Sequence, residues 1–215
     1  MLNRVAKPTT KIIVVGNPAN TNALICSHAA PNIPNKNFSA LTRLDQNRAV
    51  NQIAQRARCK VTDVKNLVIW GNHSKTQFPD SFSASVNGRP VREELGNDEH
   101  AWLDSEFISR VQNRGAEIIS QLGKSSAASA ANAICDHVRD LHHGTKDGRC
   151  VSMAVVSDGN PYGIPDNLVY SFPVTITDGE WSFVPGLKIN EFMRAKLDES
   201  TNELIEERAL AFEQH

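Results

Sequence analysis

The chain has 215 residues, with 23 Lys or Arg set against 24 Asp or Glu, for a formal net charge of −1 at pH 7. That balance excludes the basic surface that nucleic acids or anionic membranes select. A hydrophobic content of 40% supports a core, yet the longest apolar run is far short of the roughly 20 residues that span a bilayer. Met1–Thr10 carries cations but no apolar stretch of a secretory signal. Cys26, Cys59, Cys135 and Cys150 show neither Cys-x-x-Cys nor zinc spacing, which predicts reduced thiols in a reducing, cytoplasmic compartment. No metal site is expected: His142 and His143 are adjacent and cannot share a helix face, while His28, His100, His137 and His215 have no partner at ligand spacing.

In chain order, Lys11–Val15 reads as a short β-branched strand ending at Gly16-Asn17-Pro18, and Asn20–Ala30 as a helix started by an Asn or Thr cap. Pro31-Asn32-Ile33-Pro34-Asn35 breaks the pattern and reads as a domain junction. Thr42–Arg58 is the next helix, with Leu41, Leu44 and Ile53 directed to a core. Asn66–Trp70 is a buried strand, bounded by Gly71. A long helical tract, Trp102–His142, carries spaced apolar positions and is interrupted at Gly123. From Cys150 the period becomes that of strands: Val151–Ser157, Leu168–Thr177 and Glu180–Val184. Asp147-Gly148, Asp158-Gly159 and Asp178-Gly179 punctuate them and predict antiparallel pairing. Asn190–Phe212 reads as an amphipathic closing helix whose Phe192, Leu197, Leu204, Ile205 and Phe212 face the core.

Chemistry concentrates in Asp45, Arg48 and His73. Asp45 and Arg48 are three apart, so a helix puts them on one face. His73 follows the Leu67–Trp70 run at a strand end, with the Asp and Arg reachable on a neighbouring helix. Gly16 and Asn17 fall beyond the carboxyl end of their strand, where ligands sit in open α/β sheets. Imidazole titrates nearest neutral pH and can accept and return a proton in one turnover. A carboxylate on its other nitrogen sets the tautomer and favours imidazolium. An Arg fork binds a carboxylate through two parallel hydrogen bonds. Together they suit proton transfer on an anionic substrate.

Three segments carry a resemblance: Ile13-Val14-Val15-Gly16-Asn17-Pro18-Ala19-Asn20-Thr21-Asn22, Leu41-Thr42-Arg43-Leu44-Asp45-Gln46-Asn47-Arg48-Ala49 and Trp70-Gly71-Asn72-His73-Ser74. Ser125–Ala131, Asp136–Asp140 and Ser157–Pro165 continue it in order. The chain resembles the lactate/malate dehydrogenase family, in its cytosolic-type malate dehydrogenase branch, from about Lys11 onward. No Gly-x-Gly occurs among its twelve glycines, so the family's pyrophosphate-binding turn is missing. The acidic ribose-gripping residue and the mobile loop with further substrate arginines are missing with it. The resemblance therefore implies the C-terminal two-thirds of such an enzyme, with Met1–Lys7 as the end of a helix. The implied fold class is α/β: residues 1–38 a remnant of a Rossmann-type nucleotide-binding domain, residues 39–215 an α+β catalytic domain.

By the same resemblance, His73 matches the proton donor/acceptor, Asp45 the carboxylate that orients it, and Arg48 the arginine that holds the substrate carboxylate. Asn17 matches a residue touching both substrate and nicotinamide, with Val15 and Gly16 lining the cofactor through backbone. Ser129 resembles the serine near both, although an Ala-rich helix also uses Ser for packing alone. Gln46 replaces the His that many relatives carry after the Asp, and an outward-facing side chain is expected there. The implied reaction is reversible NAD-dependent oxidation of malate to oxaloacetate by a family homodimer, with little activity in the chain alone. Lactate dehydrogenation and a non-catalytic binding or dimerisation role are the alternatives.

Overall fold

A computed structural model describes residues 1–125, 127–146 and 148–212. Ser126, the Asp147 half of one turn signal, and His215 lie outside the described residues. Near the start, α1 (Leu2–Val5) leads to β1 (Ile12–Val14), α2 (Ala19–Ala29) and β2 (Phe38–Ala40). β1 and β2 are parallel, Ile12 opposite Phe38, and a parallel pair needs a crossover, which α2 provides. Ala19 and Ala23 are small enough to let that helix approach, and with Leu24 they pack on Ala40, Ala154 and Val169.

The rest of the main sheet comes from the far end of the sequence. β8 (Val151–Val156), β9 (Val169–Thr177) and β10 (Glu180–Phe183) extend it in the order β1-β2-β8-β9-β10. β8 and β9 pair antiparallel from Val151 opposite Val174 to Val156 opposite Val169, and β10 returns along β9. The β9–β10 turn places Asp178 at φ 51° and Gly179 at φ 78°, two left-handed residues that match a tight Asp-Gly hairpin.

Between these strands lie α3 (Arg43–Arg56), β3 (Val64–Lys65), β4 (Val68–Trp70), β5 (Phe78–Asp80), β6 (Ser85–Val86), β7 (Arg89–Pro90), α4 (Val91–Leu95), α5 (His100–Asp104), α6 (Glu106–Leu122) and α7 (Ala127–His143). α8 (Glu191–Phe212) closes the fold. The short strands β3, β5, β6 and β7 have no period of their own to read in sequence. β4 joins β9 through a bridge from Gly71 to Ser171. Trp70 is fully buried, edge-on to Tyr162 and Phe172, and its Nε1–H donates to Asp80 at 3.2 Å.

Several expectations need correction. The Trp102–His142 tract breaks at Ser105 as well as at Gly123, whose φ of 66° lets its N–H cap the Ile119 carbonyl at 2.9 Å. Phe192 and Phe212 are 36% and 37% exposed, because they lie across Phe78, Phe82 and His28 rather than inside; Met193, Leu197 and Leu204 take the core instead. Leu44 is only half-buried. Gln46 does not face outward: it is buried, and its Oε1 accepts the Ser152 N–H at 2.9 Å, linking α3 to β8.

His137 on α7 is fully buried. Its Nε2 lies 3.2 Å from Ser39 Oγ on β2, while Nδ1 has no hydrogen-bond partner among the described residues. Burial, reinforced by the Arg43 charge, pushes its pKa down to about 3 from 6.5. The unfolded chain therefore binds this proton below pH 6.5 while the fold refuses it, so stability falls as pH drops from 6.5 toward 3. The slope approaches ~1.4 kcal/mol per pH unit for one such group. Urea unfolding at pH 7 and pH 4.5 checks this, and His137→Gln should flatten the difference.

Candidate active site

α3 begins at Thr42, fully buried with Oγ1 2.8 Å from Ser171 Oγ on β9, which fixes the helix start against the sheet. One turn in, Asp45 is fully buried. A buried carboxylate needs partners for both oxygens, and it has them. Oδ2 lies 2.5 Å from His73 Nδ1, and Oδ1 accepts Arg48 Nη1 at 3.1 Å. The three groups singled out in the sequence are thus joined through one acid.

His73 reaches Asp45 because the chain leaves β4 through Gly71. That residue has φ +93°, which favours glycine, and a Cβ there would lie 2.2 Å from Ser200 Oγ. Gly71 exchanges both backbone hydrogen bonds with Ser171, at 3.1 and 2.8 Å. Asn20 then holds the loop from the other side. Its Oδ1 accepts the His73 N–H at 3.0 Å, and its Nδ2 donates to the carbonyls of Val169 and Gly71 at 2.9 and 3.2 Å. Reading Asn20 as a helix cap missed this role. Its side chain is spent on distant backbone, which no local spacing reveals.

Burial disfavours the His73 imidazolium, but the hydrogen bond and charge of Asp45 outweigh it, against some opposition from Arg48, so the pKa lies above 6.5. The side chain remains one-fifth exposed. With Nδ1 facing the acid, Nε2 is the nitrogen left for a substrate.

Arg48 and Ser129 line one cleft of about 510 Å³ together with Leu44, Asn47, Arg114 and Ile118. α6 runs close beside the guanidinium: a Cβ at Gly115 would lie 3.7 Å from Arg48 Nη1, an ordinary van der Waals contact. α7, which brings Ser129, is tied to α3 by a buried ion pair of Arg43 with Asp140, and Arg149 adds a second bond to Asp140 at 2.9 Å. His73 is not part of that cleft's lining and connects to it through Asp45 and Arg48. Val15, Gly16 and Asn17 stand exposed just beyond the carboxyl end of β1, with open space where a Gly16 Cβ would be. Their link to His73 runs along α2, where Asn20 sits three residues after Asn17. Among the described residues, no group of three or more His, Cys, Asp or Glu could hold a metal, and no helix is long and apolar enough to cross a membrane.

The family model of the lactate/malate dehydrogenase alpha/beta C-terminal domain matches residues 42–215. Cytoplasmic malate dehydrogenase of Bos taurus is 55% identical over 214 residues, 99% of this chain and 64% of that protein. The malate dehydrogenase of Naegleria fowleri superposes with a TM-score of 0.89 at 42% identity, over 97% of this chain and 64% of that one. Trichomonas vaginalis lactate dehydrogenase, solved with NADH and oxamate, gives a TM-score of 0.94 at 35% identity, over 99% of this chain and 65% of that one. The chain thus spans about two-thirds of the length of the relatives it matches. With the family model covering everything from the start of α3 to the last residue, the chain belongs to the lactate/malate dehydrogenase family.

Proposed function

We propose that these residues form the substrate half of a cytoplasmic NAD-dependent malate dehydrogenase that interconverts (S)-malate and oxaloacetate. The observation that carries the reading is Asp45 bonding His73 and Arg48 at once. Residues 1–38 would belong to the nucleotide-binding domain and residues 39–215 to the catalytic one. The cytoplasmic address rests on kinship with the bovine protein, and the homodimer on the family resemblance of the sequence alone.

In this reading Arg48 grips the substrate carboxylate with its planar fork and Ser129 closes the same cleft. His73 takes the hydroxyl proton of malate through Nε2, and Asp45 stabilises the imidazolium that results. On the return path the charged ring gives that proton to the carbonyl oxygen of oxaloacetate. The exposed, sterically open backbone of Val15 and Gly16 fits the nicotinamide end of a dinucleotide, with Asn17 between it and the substrate. Bound there, NAD supplies the hydride acceptor. No Gly-x-Gly turn occurs in these 215 residues, so the pyrophosphate end has no holder here and the chain alone should have little activity.

A chimera tests the reading: the 215 residues replace their counterpart in bovine cytoplasmic malate dehydrogenase, and NADH consumption is followed with oxaloacetate. Arg48→Ala should cost roughly 3 kcal/mol of transition-state binding, about 100-fold or more in kcat/KM. Arg48→Lys should recover little of it, because an ammonium cannot reproduce the fork. Unchanged kinetics in the alanine variant would refute the assignment. The likeness to the Trichomonas vaginalis enzyme supports a second reading, reduction of pyruvate to lactate, which the ratio of pyruvate to oxaloacetate turnover in the chimera decides.

A further inference from the structure

The loop that presents His73 is held on its other flank by the closing helix, in a pattern with no part in the proton transfer itself. Every second side chain of the loop, Asn72, Ser74 and Thr76, bonds to α8, while His73 turns to Asp45. On α8 the receiving groups are Ser200, Glu203 and Glu207, spaced three and four apart on one helix face. Glu203 Oε2 accepts Asn72 Nδ2 at 2.9 Å, Ser74 Oγ at 2.5 Å and Thr76 Oγ1 at 2.6 Å. Glu207 accepts Asn72 Nδ2 through Oε1 at 2.9 Å and the Thr21 hydroxyl through Oε2. Ser200 Oγ accepts the Asn72 N–H at 2.6 Å.

Thr21 adjoins Asn20, which accepts the His73 N–H. The two acids therefore grip both supports of the histidine, the loop around it and the first turn of α2. Ionised carboxylates suit this because they only accept, and all the groups aimed at them donate. Bonds to a charged acceptor are about twice as strong as neutral ones, which matters in a loop without regular secondary structure.

We propose that Glu203 and Glu207 are positioning residues for His73: they hold residues 72–76 and the start of α2 in the register that keeps Nδ1 on Asp45. The inference rests on the proton-transfer reading of His73, but its test does not need turnover. The sample is the 215-residue chain with labelled histidine, and the readouts are the His73 pKa and its Nδ1 proton resonance by NMR. A short Nδ1–H bond to Asp45 puts that resonance far downfield.

Glu203→Ala should abolish the downfield signal and lower the His73 pKa by about one unit, a tenfold loss of proton affinity. The pair Ser74→Ala with Thr76→Val keeps both acids and should act in the same direction. Glu207→Gln should keep the signal, since its amide can still accept from Asn72 and donate to Thr21. Glu206→Gln, a charge removed from an exposed site on the same helix, should leave His73 unchanged. Wild-type His73 signals in Glu203→Ala alongside a lowered Tm would overturn the proposal in favour of simple helix packing. A response to Glu203→Ala with none to the Ser74/Thr76 pair would also overturn it, by making charge rather than position the cause. Should Glu203→Ala fail to fold, the Ser74/Thr76 pair decides alone. A responsive His73 beside an inactive chimera would sink the dehydrogenase reading and leave this one standing.

Discussion

Assayed by itself, the 215-residue chain should consume NADH with oxaloacetate at least ~10⁵-fold more slowly than the chimera that restores a nucleotide-binding half. Much of what a dehydrogenase contributes is holding two reactants face to face, which corresponds to about 7–11 kcal/mol of the barrier. Here one side is built: the histidine is paired with a buried acid, the arginine lines a cleft, and a serine shares that cleft. In the proposed reading the cofactor side is the strand end at Val15–Asn17, and these 215 residues hold no Gly-x-Gly turn to anchor pyrophosphate. The proton-transfer groups should therefore be competent while the second reactant arrives only by chance. Steady-state rates and NADH fluorescence titration measure both halves of the claim. An isolated chain turning over at ~10–1000 per second, as ordinary enzymes do, would show that positioning does not depend on the missing turn.

In the chimera, His73→Asn should lower kcat by about 10⁴-fold, at the upper end of what general acid–base catalysis supplies, while NADH affinity stays near its original value. The large effect follows from the geometry. Asn can fill the space and accept a bond, but it cannot take up a proton at the position Asp45 has prepared. The pH profile carries the same signature with a definite sign. His73 has its pKa raised above 6.5, so malate oxidation, which needs the neutral ring, should rise as pH increases through that pKa. Oxaloacetate reduction needs imidazolium and should fall over the same range. Both limbs should vanish in His73→Asn. A variant within tenfold of the parent, or one that keeps the pH dependence, would move the proton to another group.

Much of this site is visible in the residue order because its parts are local or obey a period. Asp45 and Arg48 share a face by helix geometry, and His73 is marked by the apolar strand ahead of it and by Gly71, whose positive φ and contact with Ser200 explain the residue choice. The antiparallel strands at the end are marked by Asp-Gly turns. Gln46 turns inward against expectation because helical spacing gives its direction relative to α3 but not what lies there, which is the Ser152 N–H of β8. Asn20, Glu203 and Glu207 were missed for a related reason: polar residues on a helix look solvated until the fold brings unpaired donors to them.

The amino-acid order by itself determined the longer helices and strands, the Asp45–Arg48 face and the kinship of the chain. Those depend on backbone sterics, side-chain periodicity and short-range spacing. The tertiary structure alone decided that α8 and α2 converge on the His73 loop, that Gln46 is buried and that His137 stays neutral in the core. Groups 50 to more than 130 residues apart must be desolvated together before their hydrogen bonds form, and only the packed chain sets which ones meet.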